Sequence, residues 1–126
     1  MEIEISRNEN IAIVRVAGRV DAATAPEFER QCERALAGGE QYLVLDLAGV
    51  RYISSAGLRG VLAAGKTLIE RGGALHLAAL TGVVREIFEL SGFNALFSQH
   101  ASVEAAVASL RLPHAGLSST STEKSE

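Results

Sequence analysis

The residues of this chain with the most chemical capacity stand close together between Asp46 and Lys66. Ser54 and Ser55 are adjacent hydroxyls in the run I-S-S-A-G-L, where an apolar segment gives way to a helical pattern. A serine there can cap the helix, because its oxygen accepts an orphan N–H of the first turn. It can act as a nucleophile if a base and an oxyanion hole stand by. It can also accept a phosphoryl group, adding roughly −1.5 to −2 charges at a helix end whose free N–H groups favour anions. The nucleophile reading is the weakest. A nucleophile elbow needs glycine two residues before the serine, and Ile53 stands there. No aspartate follows Ser55, and His76, His100 and His114 have no evident partner and read as surface or strand residues.

Two further patterns fail on their context. Gly60 to Thr67, G-V-L-A-A-G-K-T, satisfies G-x-x-x-x-G-K-[ST] by letters. Val61, Leu62, Leu68 and Ile69 keep helical spacing straight through it, and no strand immediately precedes it. A phosphate-cradling loop needs backbone freedom, so ATP hydrolysis by the isolated protein is not expected. Cys32 is the single cysteine, which rules out an internal disulfide, and no Cys/His set has zinc spacing. It shares a helical face with Phe28, Ala35 and Leu36 and reads as core. No metal or cofactor is expected.

The elements that position these residues follow from periodicity. Glu2, Ile3, Glu4 and Ile5 alternate as in a half-buried strand, and Ile11 to Val16 forms its hairpin partner across Asn8-Glu9-Asn10. A helix begins near Thr24, where Thr24 and Glu27 fit a capping box and Pro26 sits in the first turn, and it ends at Gly38-Gly39. Residues 42–47, Y-L-V-L-D-L, read as a strand buried on both faces. A loop over 48–54 leads into a helix that starts at Ser54 or Ser55, with Ser55 read as its cap, and stops at Gly72-Gly73. Then come a strand over 74–79, a helix around Val84, Ile87 and Phe88, and a short strand near Ala95–Phe97. A last helix is capped by Ser102 and ended by Pro113. Such alternation predicts an α/β domain with helices packed on a small sheet. Residues 113–126 are polar and are expected to be a disordered, dispensable tail.

Composition narrows the partners. The apolar fraction of 48% against 5% aromatic residues supports one aliphatic core in a chain of 126 residues. A net charge of −3 gives no electrostatic case for nucleic acid. The start M-E-I-E-I-S has acid where a signal peptide carries positive charge. No apolar run approaches the roughly 18 residues of a membrane span. The chain reads as soluble and cytoplasmic, without membrane insertion.

Two segments carry a family resemblance. From Asp46 to Leu58, D-L-x-x-V-x-x-I-S-S-A-G-L resembles the signature of STAS domains, specifically bacterial anti-sigma factor antagonists. Gly18 to Glu27, G-R-V-D-A-A-T-A-P-E, looks like the block before the first helix of that family. Asp21 and Asp46, the chain's only aspartates, fall in these two blocks. The resemblance implies a STAS-like fold over residues 1–112, a small mixed β-sheet of four to five strands with about four helices packed on it. It implies a binding switch rather than an enzyme. The partner would be an anti-sigma factor that is itself a serine kinase, released when it phosphorylates the serine before Ala56-Gly57-Leu58, which is Ser55. A PP2C-type phosphatase would reset the switch. Many members carry aspartate just before the acceptor; Ser54 stands there, so Ser54 is a second candidate acceptor. The implied partner surface comprises Asp21, Ser54, Ser55, Gly57 and Arg59.

Beside that resemblance, each residue has a plainer reading. Asp21 can cap the first helix, and Asp46 can tie down the 47–54 loop through backbone N–H bonds. Gly57 can permit close packing. Arg59, one turn after Ser55, can be a solvated charge or can steer an acidic patch of the partner. Other STAS domains are constitutive subunits of lipid-transport or stress-signalling assemblies, which is the alternative the resemblance leaves open.

Overall fold

The computed structural model describes residues 1–111. The expectations for the 113–126 tail, for Pro113 as a helix stop and for His114 lie outside the described residues. Strands β1 (Glu2–Asn8) and β2 (Ile11–Val20) form the antiparallel hairpin, with Ile3 opposite Val16 and Ile5 opposite Val14. Strands β3 (Tyr42–Ile53), β4 (Ala74–Ala78) and β5 (Ser98–His100) add in sequence order and run parallel to β2. Parallel neighbours need crossover connections. These are α1 (Ala25–Ala35), α2 (Ser55–Glu70) and α3 (Gly82–Leu90), the last followed by a 3₁₀ turn at Phe93–Ala95; α4 (Val103–Arg111) ends the described chain.

Side chains of β3 alternate between two buried layers, which is why its first half reads as an unbroken apolar run. Leu43, Leu45 and Leu47 join Val14, Phe28, Val61, Leu68, Leu77 and Phe88 in the main core beneath α1, α2 and α3. Val44 points the other way, to Ile11, Ile13, Ala78, Val103 and Ala106, where α4 covers the opposite face. Among the described residues, no helix is long and apolar enough to cross a membrane.

The structure corrects the elements in several places. Residues 48–53 are strand, not loop. After Asp46, β3 leaves β4 and continues beside β2 alone, through register shifts at Arg15/Ala17 and Gly18/Arg19. These irregularities space the buried residues as Leu47, Val50 and Ile53, so the alternation that signals a strand disappears while the backbone pairing continues. The last strand is Ser98–His100 rather than 95–97: Phe93, which opens the 3₁₀ turn, and Phe97, which follows it, are both core residues, and the strand itself is polar. Thr24 caps α1 without a capping box, since its side chain accepts no helical N–H. The serine before α4 behaves as expected, with Ser102 Oγ accepting from Ala105 N at 3.1 Å.

Candidate functional site

The C-terminal ends of β2 and β3 deliver the two segments singled out in the sequence to one corner. Val20 pairs with Ile53, and the Ser54 N–H donates to the Val20 carbonyl at 2.8 Å. Asp21 therefore follows directly on the residue that anchors the start of α2. Gly57 closes the corner: a Cβ there would lie 2.7 Å from Ile53 Cγ1 and 2.8 Å from Val20 Cγ1. Buried as it is, Gly57 serves close packing of α2 on the strand ends and presents little surface.

Ser54, not Ser55, is the helix cap. Its backbone is extended (φ −91°, ψ 175°), and its Oγ accepts the Gly57 N–H at 3.3 Å. Ser55 is the first helical residue, exposed, with its hydroxyl in no hydrogen bond among the described residues. No acidic residue occupies the first turn of α2, so no carboxylate of that turn offsets the positive end of the helix dipole where that hydroxyl stands. Arg59 is exposed one turn further on.

Asp21 holds the turn that starts α1. Its Oδ1 accepts from Ala23 N at 3.0 Å and Thr24 N at 3.1 Å, while Thr24 Oγ1 accepts from Asp21 N at 2.9 Å and lies 3.0 Å from the Arg19 carbonyl it donates to. The backbone N–H of Thr24 is the largest influence holding the Asp21 carboxyl below its usual range, with Arg19 adding to it. Arg19 was not singled out in the sequence. Its Nε lies 3.9 Å from Asp21 Oδ2, and its guanidinium sits 4.7 Å from the centroid of Tyr52. Only the extension of β3 brings Tyr52 opposite Arg19, so a reading that ends the strand at residue 47 cannot find this pair.

Asp46 stands apart from the corner, mid-strand in β3. It accepts from Ala48 N at 3.0 Å and from Arg15 Nε at 3.2 Å, so it fixes the first irregular turn of the strand. The two glycines of the G-x-x-x-x-G-K-T pattern lie inside α2 and answer to packing. A Cβ on Gly60 would meet the Phe28 ring at 3.1 Å, and one on Gly65 would meet the Phe97 ring at 2.6 Å. Cys32 is buried, and that burial pushes its thiol up to about 12. The strand histidines do have a partner: His76 Nδ1 and His100 Nε2 are 2.9 Å apart on neighbouring strands. Among the described residues no group of three or more His, Cys, Asp or Glu could hold a metal ion.

Comparison with known proteins bears on the family and the fold. A family model described as the STAS domain matches residues 2–106. BtrV of Bordetella bronchiseptica, which carries the name of an anti-sigma factor antagonist, is 39% identical over 111 residues, covering 88% of this chain and 96% of BtrV. The crystal structure of an anti-sigma factor antagonist from Mycobacterium paratuberculosis has a TM-score of 0.80 at 24% identity, over 88% of this chain and 94% of that one. The Bacillus protein SpoIIAA in its phosphorylated form has a TM-score of 0.70 at 18% identity, over 87% of this chain and 100% of that one. At these identities the structural likeness shows the shared fold.

Proposed function

Because this chain belongs to the STAS domain family, we propose that it is an anti-sigma factor antagonist whose partner is released by phosphorylation of Ser55. The observation that carries this reading is the division between neighbouring serines: Ser54 is committed to the cap, while the Ser55 hydroxyl is exposed and makes no hydrogen bond among the described residues. The partner in this reading is an anti-sigma factor with serine kinase activity, which packs over Ser55, Asp21 and Arg59 in the unphosphorylated state. Phosphate on Ser55 sits at the N-terminus of α2, where the helix favours it. It therefore leaves the fold intact while turning the packed spot anionic. Facing like charge or a dry surface, it weakens binding by several kcal/mol. A PP2C-type phosphatase restores the binding form, and the circuit operates in the cytoplasm. The name of BtrV and the existence of SpoIIAA in a phosphorylated form support this reading.

The test is affinity capture with wild-type and Ser55→Ala proteins, with and without ATP. The wild type is expected to release its kinase partner when ATP is added, and Ser55→Ala to retain it. Release of both, or of neither, overturns the switch.

A further inference from the structure

We infer that the groove between α1 and α2 is a seat for a lysine or arginine side chain of a protein partner. Its cavity of about 180 Å³ is lined by Glu29, Cys32 and Glu33 of α1, by Leu36 just past its end, and by Gly60, Ala63, Ala64 and Thr67 of α2, among others. Both sets repeat at i, i+3, i+4, i+7, so each helix turns one continuous stripe to the groove. Gly60 lets α2 approach Phe28 and Glu29 closely, and the small side chains of Ala63, Ala64 and Thr67 beyond it leave the space unfilled. The volume is well above the ~10–15 Å³ that one water needs on such a measure.

The chemistry of the walls selects the occupant. The floor is apolar, with Cys32, Leu36 and Ala64 buried. On the rim, Glu29 and Glu33 are exposed and make no ion pair or hydrogen bond among the described residues. The bases of α1 are engaged elsewhere, Arg30 with Glu27 and Arg34 with Gln31. Burial raises the Cys32 thiol, and both carboxylates add to it. Arg71, at the other end, is tied by Nη1 to the carbonyls of Leu36 at 2.8 Å and Glu40 at 2.9 Å. A long aliphatic stem with a cationic head matches this layout: the stem lies on the floor and the head meets the two rim carboxylates.

The groove continues the surface already described. Ser55, Arg59 and Ala63 are exposed at i, i+4, i+8 on α2, which puts the groove about 12 Å along the helix from Ser55. As a contact of the same partner it rests on the proposed function, although binding in the groove can be tested without that partner.

The probe is n-butylguanidinium, titrated into ¹⁵N-labelled full-length protein at constant ionic strength, with N-butylacetamide as a neutral analogue of similar shape. Saturable shifts are expected at residues 29, 33, 60, 63, 64 and 67 with the cation. Glu29→Gln combined with Glu33→Gln is expected to weaken binding at least tenfold, and Ala63→Phe, which fills the groove from its exposed side, to abolish it. No saturable shift overturns the inference, as does equal binding of the neutral analogue, which would make the groove a seat for an apolar anchor. Ser55→Asp is expected to bind the probe as wild type does while losing the kinase partner. Retention of the partner by Ser55→Asp would count against the switch and leave the groove standing.

Discussion

The hydroxyl of Ser54 accepts the Gly57 N–H, and that of Ser55 one residue later has no hydrogen-bond partner among the described residues. The chain's sequence places both serines at a helix start, but which one caps depends on where the backbone turns from extended to helical, and the strand extension to Ile53 decides that. The consequence is a separation of stability from signalling. Ser54→Ala is expected to cost about 0.5–2 kcal/mol by loss of the cap and to keep ATP-dependent release. Ser55→Ala is expected to change stability by no more than about 0.5 kcal/mol and to lose release. Ser55→Asp should lower partner affinity at least tenfold, about 1.4 kcal/mol, without loss of melting temperature. Denaturant titration of the three variants, read beside the capture assay, checks the pattern. Phosphorylation surviving in Ser55→Ala and lost in Ser54→Ala would reverse the assignment. Gly57 is the third residue of this corner. Gly57→Ala drives a methyl group into Ile53 and Val20 and is expected to cost about 1–3 kcal/mol; a neutral Ala variant would mean that α2 is free to lift from the strands.

At the scale of elements, the hairpin and the helices are legible because each keeps one period along its length, and the buried half of β3 because its apolar run is unbroken. The second half of β3 is not, because its register shifts move the buried positions out of step. The same cause hides the Arg19–Tyr52 pair. The start of α1 is half legible. Thr24 is where a cap belongs, yet its hydroxyl turns back to Asp21 and Arg19, and Asp21 supplies the acceptors for the turn. Hydrogen exchange of the Ala23 and Thr24 amides tests this. Asp21→Ala is expected to speed both by about tenfold or more, as for a locally opened turn, and Asp21→Asn to keep them slow because an acceptor oxygen is retained. Asp21→Asn should nevertheless weaken partner binding, since the proposed surface includes the charge. Unchanged affinity in that variant takes Asp21 off the surface and leaves it a structural residue.

Across the whole molecule, α1, α2 and the β1 edge are joined by a polar network that no periodic pattern announces. Arg7 of β1 donates to the Glu40 carboxylate at 2.8 Å and to the carbonyls of Arg34 and Ala35 at 3.0 and 3.2 Å. Arg71, at the end of α2, donates to the carbonyls of Leu36 and Glu40. Two arginines distant in sequence thus cap the open C-terminus of α1, where cations are favoured, and the buried Glu40 pairs its carboxylate with Arg7. The Glu40 carboxyl is held below its usual 4.5, first by its own backbone N–H and then by Arg7. A carboxylate whose folded pKa is depressed contributes stability that is present above its unfolded value and lost as pH falls through the folded one. Glu40→Gln is therefore expected to be less stable than wild type at pH 7. The loss should fall at the lower end of the ~1.5–3 kcal/mol typical of hydrogen bonds to charged groups, since the Arg7 side chain is 45% exposed. Below the usual value of 4.5 the two proteins should converge as the wild-type carboxyl protonates. Urea unfolding at steps between pH 7 and pH 3 measures the gap. A gap of constant size down to pH 3 would assign the loss to packing around residue 40, and the charge would then have no part in holding the helix ends together.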